Sequence, residues 1–328
     1  AGTAKHICTS VSHPENVAAV ADILFKATGS REKFVEAPSA CLLCIHVVPP
    51  LRLHKESCEV LYEAVKLGIP THCNVFSQVG ASTPVTLAGA MAQNAAEALA
   101  GMIFGWLVNP EVSTVMGVRP MLTDLRTGGF SGGSGEQAMV MAATAQLASY
   151  YDLPNSCIAG ATDSKIPDAQ SGYEKAMTVS LAAQAGSNMI TQACGVHAGL
   201  MGVAFESMVI DNDMLGSILR SVHRIEVNEE TLATDAIMEV VSGEGHFLGH
   251  SDTYKRMQSD FLYPEIADRR SPEEWEAAGS PDIRDSAKQR ATEILDSHFP
   301  HYIDPDIDKA IRSKYDIFLP AESMRPAK

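Results

Sequence analysis

The sequence predicts an α/β fold on a parallel sheet, read as a (β/α)8 TIM barrel that lacks its N-terminal units. Three observations carry this reading. Six short apolar runs are each followed by a helical stretch. The units recur about every 35 to 45 residues, a spacing that suits parallel strands joined by crossover helices. The runs are mostly apolar on both faces, as a doubly covered sheet requires. A doubly wound open sheet fits the same rhythm and competes with the barrel. The barrel is preferred because the chain opens almost directly on a strand, without an initiator Met, so that two further β–α units are expected upstream.

The first strand is expected over residues 5–11, and His13-Pro14-Glu15 opens a helix over 14–27, with Pro in the tolerated first turn. Residues 41–48 form the next strand, stopped by Pro49-Pro50. An amphipathic helix over 55–67 ends at Gly68. The third strand covers 71–76, and a long apolar helix covers 84–108. The fourth strand, 113–118, leads to the glycine loop GGFSGGSG at 128–135 and a helix over 136–150. Strands over 156–161 and 188–194 flank a helix over 169–185, and a further helix spans 205–222. These units make a barrel domain over 1–224. Residues 225–328 read as a helical extension that packs on the barrel or on a partner subunit, beginning with one helix over 225–241.

The net charge of −15 excludes a nucleic-acid surface, whose phosphates demand a basic face, and an anionic membrane surface. No run is apolar and long enough to span a bilayer. Seven cysteines, mostly in apolar runs, suit reduced thiols in a cytoplasmic protein. Cys41 and Cys44 lie three apart in a strand, on opposite faces, so they do not chelate one metal. No metal site is expected.

The stretch 156–206 concentrates the chemistry. Thr162 and Asp163 follow one strand, and Gln192, Cys194 and His197 follow the next. Asp168 is the natural N-cap of the helix between them. Asp163 suits a second turn cap as well as a ligand contact. Lys165, flanked by two aspartates, reads as a loop residue rather than a Schiff-base amine. His197 is placed to meet a ligand carboxylate or Glu206, although a lone His is more often structural. The glycine loop contains G-x-G-x-x-A, but some ten residues separate it from its strand, which argues against a dinucleotide site. It reads instead as a mobile loop over the mouth or a cap on the next helix, with amides that could meet an anion.

Five ordered motifs carry a resemblance: TPVTLAGAMAQNAAEALAG at 83–101, TDSKIPDAQSGYEKA at 162–176, VIDNDMLG at 209–216, IEVNEETLA at 225–233 and GHFLGHSDT at 245–253. They resemble the trimethylamine:corrinoid methyltransferase superfamily over nearly the whole chain. The resemblance implies a (β/α)8 barrel. It also implies transfer of a methyl group from a methylated amine to the Co(I) of a separate corrinoid protein. Members that demethylate trimethylamine carry pyrrolysine, and no such residue appears here. The resemblance therefore points to the pyrrolysine-free branch, similar to glycine betaine methyltransferase, acting on a quaternary amine.

Within the resemblance, His197, Asp163 and Glu206 are the expected catalytic residues. Gln192, Asn74, Gln78, His46 and Arg119 are the expected substrate contacts. Gly132, Gly133 and Gly135 form the loop expected to face the corrinoid protein. No tightly bound cofactor is expected, since the cobalamin travels on the partner. A homo-oligomer is also expected.

Overall fold

A computed structural model describes residues 3 and 5–324. Six strands form one sheet, all parallel, and they stand in sequence order: β1 (Ile7–Thr9), β2 (Ala40–Cys44), β5 (Thr71–Gln78), β6 (Thr114–Met121), β9 (Asn155–Ile158) and β10 (Met189–Thr191). A doubly wound sheet needs a reversal in this order, and none occurs, so the competing architecture falls. The closed barrel is not seen either. Among the described residues β1 and β10 do not pair, and the sheet is an open half-barrel.

The remaining strands are two-residue hairpins in loops at the carboxyl ends. β3 (Val47–Val48) pairs with β4 (Arg52–Leu53) after β2; β7 (Thr123–Asp124) with β8 (Gly129–Phe130) after β6; β11 (Val196–His197) with β12 (Gly202–Val203) after β10. Every second strand of the sheet thus ends in a hairpin. The predicted strand over 41–48 therefore stops early. Its final valines turn back to pair with β4, because Pro49 and Pro50 supply no amide to prolong a ladder.

The crossover helices fall where the periodicity places them. They are α1 (Glu15–Thr28), α3 (Lys55–Leu67), α4 (Leu87–Val108), α5 (Gly135–Tyr150), α6 (Ala169–Gln184) and α7 (Phe205–Val222); a short α2 (Arg31–Glu36) follows α1. Their apolar sides bury one face of the sheet. Val17, Phe34, Leu61, Val65, Ala98 and Met102 pack on Leu42, Cys44, Cys73, Val75, Met116 and Val118. The opposite face is not apolar as expected. The alternation of β5 and β6 turns His72, Asn74 and Arg119 away from that core.

The extension carries α8 (Glu229–Leu232), α9 (Thr234–Ser242), α10 (Ser251–Arg256), α11 (Pro272–Ala277), α12 (Ile283–Ser297) and α13 (Pro305–Lys314). The single helix expected over 225–241 is broken at Ala233, whose backbone is left-handed at φ 49°. α12 packs on α7, the last barrel helix, and α13 packs on α1, the first. There Asp22 accepts hydrogen bonds from Tyr315 Oη at 2.8 Å and Lys314 Nζ at 3.0 Å. The extension thereby links the two ends of the arc. Residues 325–328 of the predicted extension lie outside the described residues. No described helix is long and apolar enough to cross a membrane.

Candidate active site

The polar face of the sheet is built on a missing side chain. A Cβ at Gly117 on β6 would lie 2.7 Å from both Asn74 Oδ1 and His72 Nε2. Glycine lets both side chains of β5 lie across the neighbouring strand. His72 Nε2 then meets Ser156 Oγ on β9, and Arg119 Nη2 donates to the same oxygen at 3.0 Å. Arg119 is only 5% exposed. Its Nε has no hydrogen-bond partner, and no carboxylate pairs with it among the described residues. Burial pushes its pKa down to about 10, which leaves the cation charged at neutral pH. Burial, helped by the Arg119 charge, also holds His72 below its ordinary value, hence neutral. Asn74 is buried with Oδ1 unpartnered.

Phe76 stands directly across from Arg119 in the β5–β6 register. Its ring stacks on Phe130 of β8, with centroids 6.3 Å apart. A buried cation and a pair of aromatic faces therefore adjoin one another near the carboxyl ends.

The loops above are tied down by carboxylates. Asp163 accepts from the Gly132 amide at 2.9 Å, the Gly133 amide at 3.4 Å and Ser131 Oγ at 3.3 Å. The glycine loop is thus pinned, and two of its amides already serve the protein's own anion. Glu174 of α6 accepts from Thr162 Oγ1 at 2.5 Å, the Asp163 amide at 2.8 Å and Gln170 Nε2 at 2.8 Å. It packs so closely that a Cβ on Gly133 would fall 2.2 Å from its Oε2. Gly135 opens α5 with free space around it, and Ser134 caps that helix by accepting from the Gln137 amide. Asp168 caps α6 as expected, accepting from the Ser171 amide at 2.9 Å. Lys165 Nζ donates to the Asp163 carbonyl at 2.7 Å.

His197 lies on β11, buried, with Nε2 at 2.5 Å from Ser207 Oγ of α7 and 3.4 Å from Lys175 Nζ of α6. Lys175 is fully buried and pairs with Asp211 of α7 at 2.6 Å. Asp211 also accepts from the Gly195 amide at 2.7 Å. Burial and the Lys175 charge hold His197 below its ordinary pKa, so the ring is neutral. It locks its hairpin to two helices. Gln192, left-handed at φ 59°, is exposed just beyond β10, and Gln78 is exposed at the end of β5. Glu206 sits half-buried in the first turn of α7.

His46 stands apart from the other expected substrate contacts. His46 Nε2 meets the Glu97 carbonyl of α4 at 2.8 Å, and its ring fills the notch at Gly101. Cys44 faces the helical layer, so His46, two residues on, faces it too. Its ring is a packing element between β2 and α4, away from the polar face.

The trimethylamine methyltransferase (MTTB) family model matches residues 1–316. The chain belongs to this family. It is 33% identical over 317 residues to trimethylamine methyltransferase MttB of Methanosarcina barkeri, covering 96% of this chain and 63% of that protein. It is 31% identical over 312 residues to the MttB of Desulfitobacterium hafniense, covering 95% and 62%. It is 30% identical over 299 residues to the glycine betaine methyltransferase of Desulfitobacterium hafniense strain Y51, covering 91% and 61%. The chain thus spans about 63% of the length of the curated relatives it matches.

The motifs quoted above therefore identify the trimethylamine methyltransferase family correctly. Its named members include enzymes for an amine without a carboxylate and for one with a carboxylate. Glu174, Lys175 and Asp211 escaped the sequence reading. Glu174 and Lys175 are the only charged residues of α6, and their place on its inward face was the available signal.

Proposed function

We propose that this chain forms the substrate-binding part of a corrinoid-dependent methyltransferase acting on a betaine, a quaternary amine that carries a carboxylate. The methyl group passes to the Co(I) of a separate corrinoid protein, which supplies the nucleophile. The observation that supports a betaine is Arg119, a buried cation whose Nε has no partner and which no carboxylate pairs with among the described residues. A buried charge without such a partner costs several kcal/mol, about 3–5, and a carboxylate brought by the substrate offsets that cost. The ammonium then lies against Phe76 and Phe130, one strand across, where aromatic faces attract a quaternary nitrogen. Asn74, Gln78 and Gln192 offer amides to fix the orientation. Trimethylamine would leave Arg119 unused.

The electrostatics suit this chemistry. A quaternary ammonium leaves as a neutral tertiary amine, so displacement needs alignment and no general acid. His72 and His197 are both held toward the neutral form, without the acidic second ring proton of an imidazolium. Asp163 and His197 act by holding the glycine loop and the β11–β12 hairpin in place.

Cobalamin methylation, followed by its visible spectrum, tests the reading. With reduced corrinoid protein present, glycine betaine, proline betaine or carnitine supports methylation and trimethylamine does not. Transfer from trimethylamine alone would sink the betaine assignment. Calorimetry tests the residue. Arg119→Gln weakens betaine binding about 10- to 100-fold, the worth of a charged hydrogen bond, and leaves choline, which has no carboxylate, unaffected.

A further inference from the structure

Cys8 and Cys41 are directly opposed in the register of β1 and β2. Cys44, three residues after Cys41, points into the helical core, so Cys41 and its partner Cys8 lie on the polar face. The same face carries His72 on β5 and Arg119 on β6. Cys41, His72 and the Arg119 charge favour the thiolate and hold the Cys8 pKa below its ordinary value. Cys41 is pushed the other way, by the adjacent Cys8 sulfur and by burial. Cys8 is exposed and Cys41 buried. One sulfur is thus an accessible nucleophile, and the other waits beside it.

We propose that Cys8 and Cys41 form an exchange-competent dithiol, with Cys8 attacking small-molecule disulfides and Cys41 resolving the adduct. In the first step the Cys8 thiolate attacks one sulfur of the disulfide; that S–S bond breaks and one thiolate leaves. In the second, Cys41 gives its proton to the departing thiolate and attacks the Cys8 sulfur, expelling the second thiol. The two cysteines are oxidised, and the small disulfide is reduced to two thiols.

Adjacent strands stand about 4.8 Å apart, inside the Cα separation of about 4.4–6.8 Å that a disulfide spans, so the pair can close without moving the sheet. Closing it withdraws a thiolate from the surroundings of Arg119. None of this depends on the betaine reading, because the test reads no methyl transfer.

The test treats the 328-residue chain with glutathione disulfide, then maps disulfides by mass spectrometry after quenching with an alkylating agent. The wild-type chain loses two hydrogen masses, and one peptide links Cys8 to Cys41. Added reduced glutathione reverses the change. Cys41→Ser stops at a glutathione adduct on Cys8, and Cys8→Ser forms neither product. The half-buried Cys58 and Cys194 serve as internal controls and react at least tenfold more slowly than Cys8. A link between other cysteines, a Cys41→Ser chain without the adduct, or equal reactivity of Cys58 and Cys8 overturns the proposal. The wild-type map alone decides the matter if either variant fails to fold.

Discussion

Replacing Lys175 with Met lowers the stability of the chain by about 3–5 kcal/mol, because it strands Asp211 as a buried carboxylate without its cation. Lys175 Nζ lies 2.6 Å from Asp211 Oδ2, and both side chains are withdrawn from water. Asp211 would keep only the Gly195 amide. His197 would lose its neighbour as well, and the β11–β12 hairpin its tie to α6. Urea denaturation followed by circular dichroism reads the loss as a fall in the transition midpoint. The double replacement Lys175→Met, Asp211→Leu recovers most of that stability, since removing both charges also removes their desolvation cost. If the double variant is no more stable than Lys175→Met, the pair is not the source of the effect. The prediction also separates two roles for His197. A merely positioning ring loses its place together with the pair, whereas a ring that touches substrate directly shows its own loss of affinity in His197→Gln with stability preserved.

Much of this architecture was legible in the sequence, for identifiable reasons. Helices α3 and α7 run over the predicted spans, because Gly68 stops one and apolar spacing frames the other. The glycine loop was legible as a cap on the next helix, which its Ser134 provides by accepting from the Gln137 amide. Its pinning by Asp163 was not legible, because the partners lie 30 to 32 positions apart. The facing of His46 was hidden for a different reason. The run CLLCIHVV is apolar throughout and carries no alternation from which to read a face. The hairpins were missed because two residues are too few to show a period. Arg119 could be placed just past the end of a predicted strand, which in the structure runs on to Met121. That no carboxylate pairs with it is a property of the packed sheet alone, and the proposed carboxylate-bearing substrate rests on this property.

Gly160→Ala is the second severe substitution, with an expected loss of about 2–5 kcal/mol from two causes that can be separated. The residue follows β9 with φ at +90°, where an L side chain is strained. An added Cβ would also lie 2.7 Å from the Ala193 carbonyl oxygen and 2.8 Å from the Ala193 carbonyl carbon and Cα. These are backbone atoms and cannot swing aside as a side-chain end would. Gly186 supplies the control: its φ is +88°, and a Cβ there meets nothing within 4 Å. Gly186→Ala should therefore cost only the backbone strain, about 1–2 kcal/mol. The difference between the two variants, read from their denaturation midpoints, measures the close approach of the chain after β9 to the chain after β10. That approach lets Thr162 tie to the chain after β10, donating its amide to the Val196 carbonyl at 3.4 Å and accepting from the Gly199 amide at 3.0 Å. Gly160→Ala should accordingly weaken betaine binding in the fraction that still folds, and Gly186→Ala should not. Equal losses at the two positions would mean that strain alone acts at Gly160, and that the carboxyl ends of β9 and β10 have room to separate.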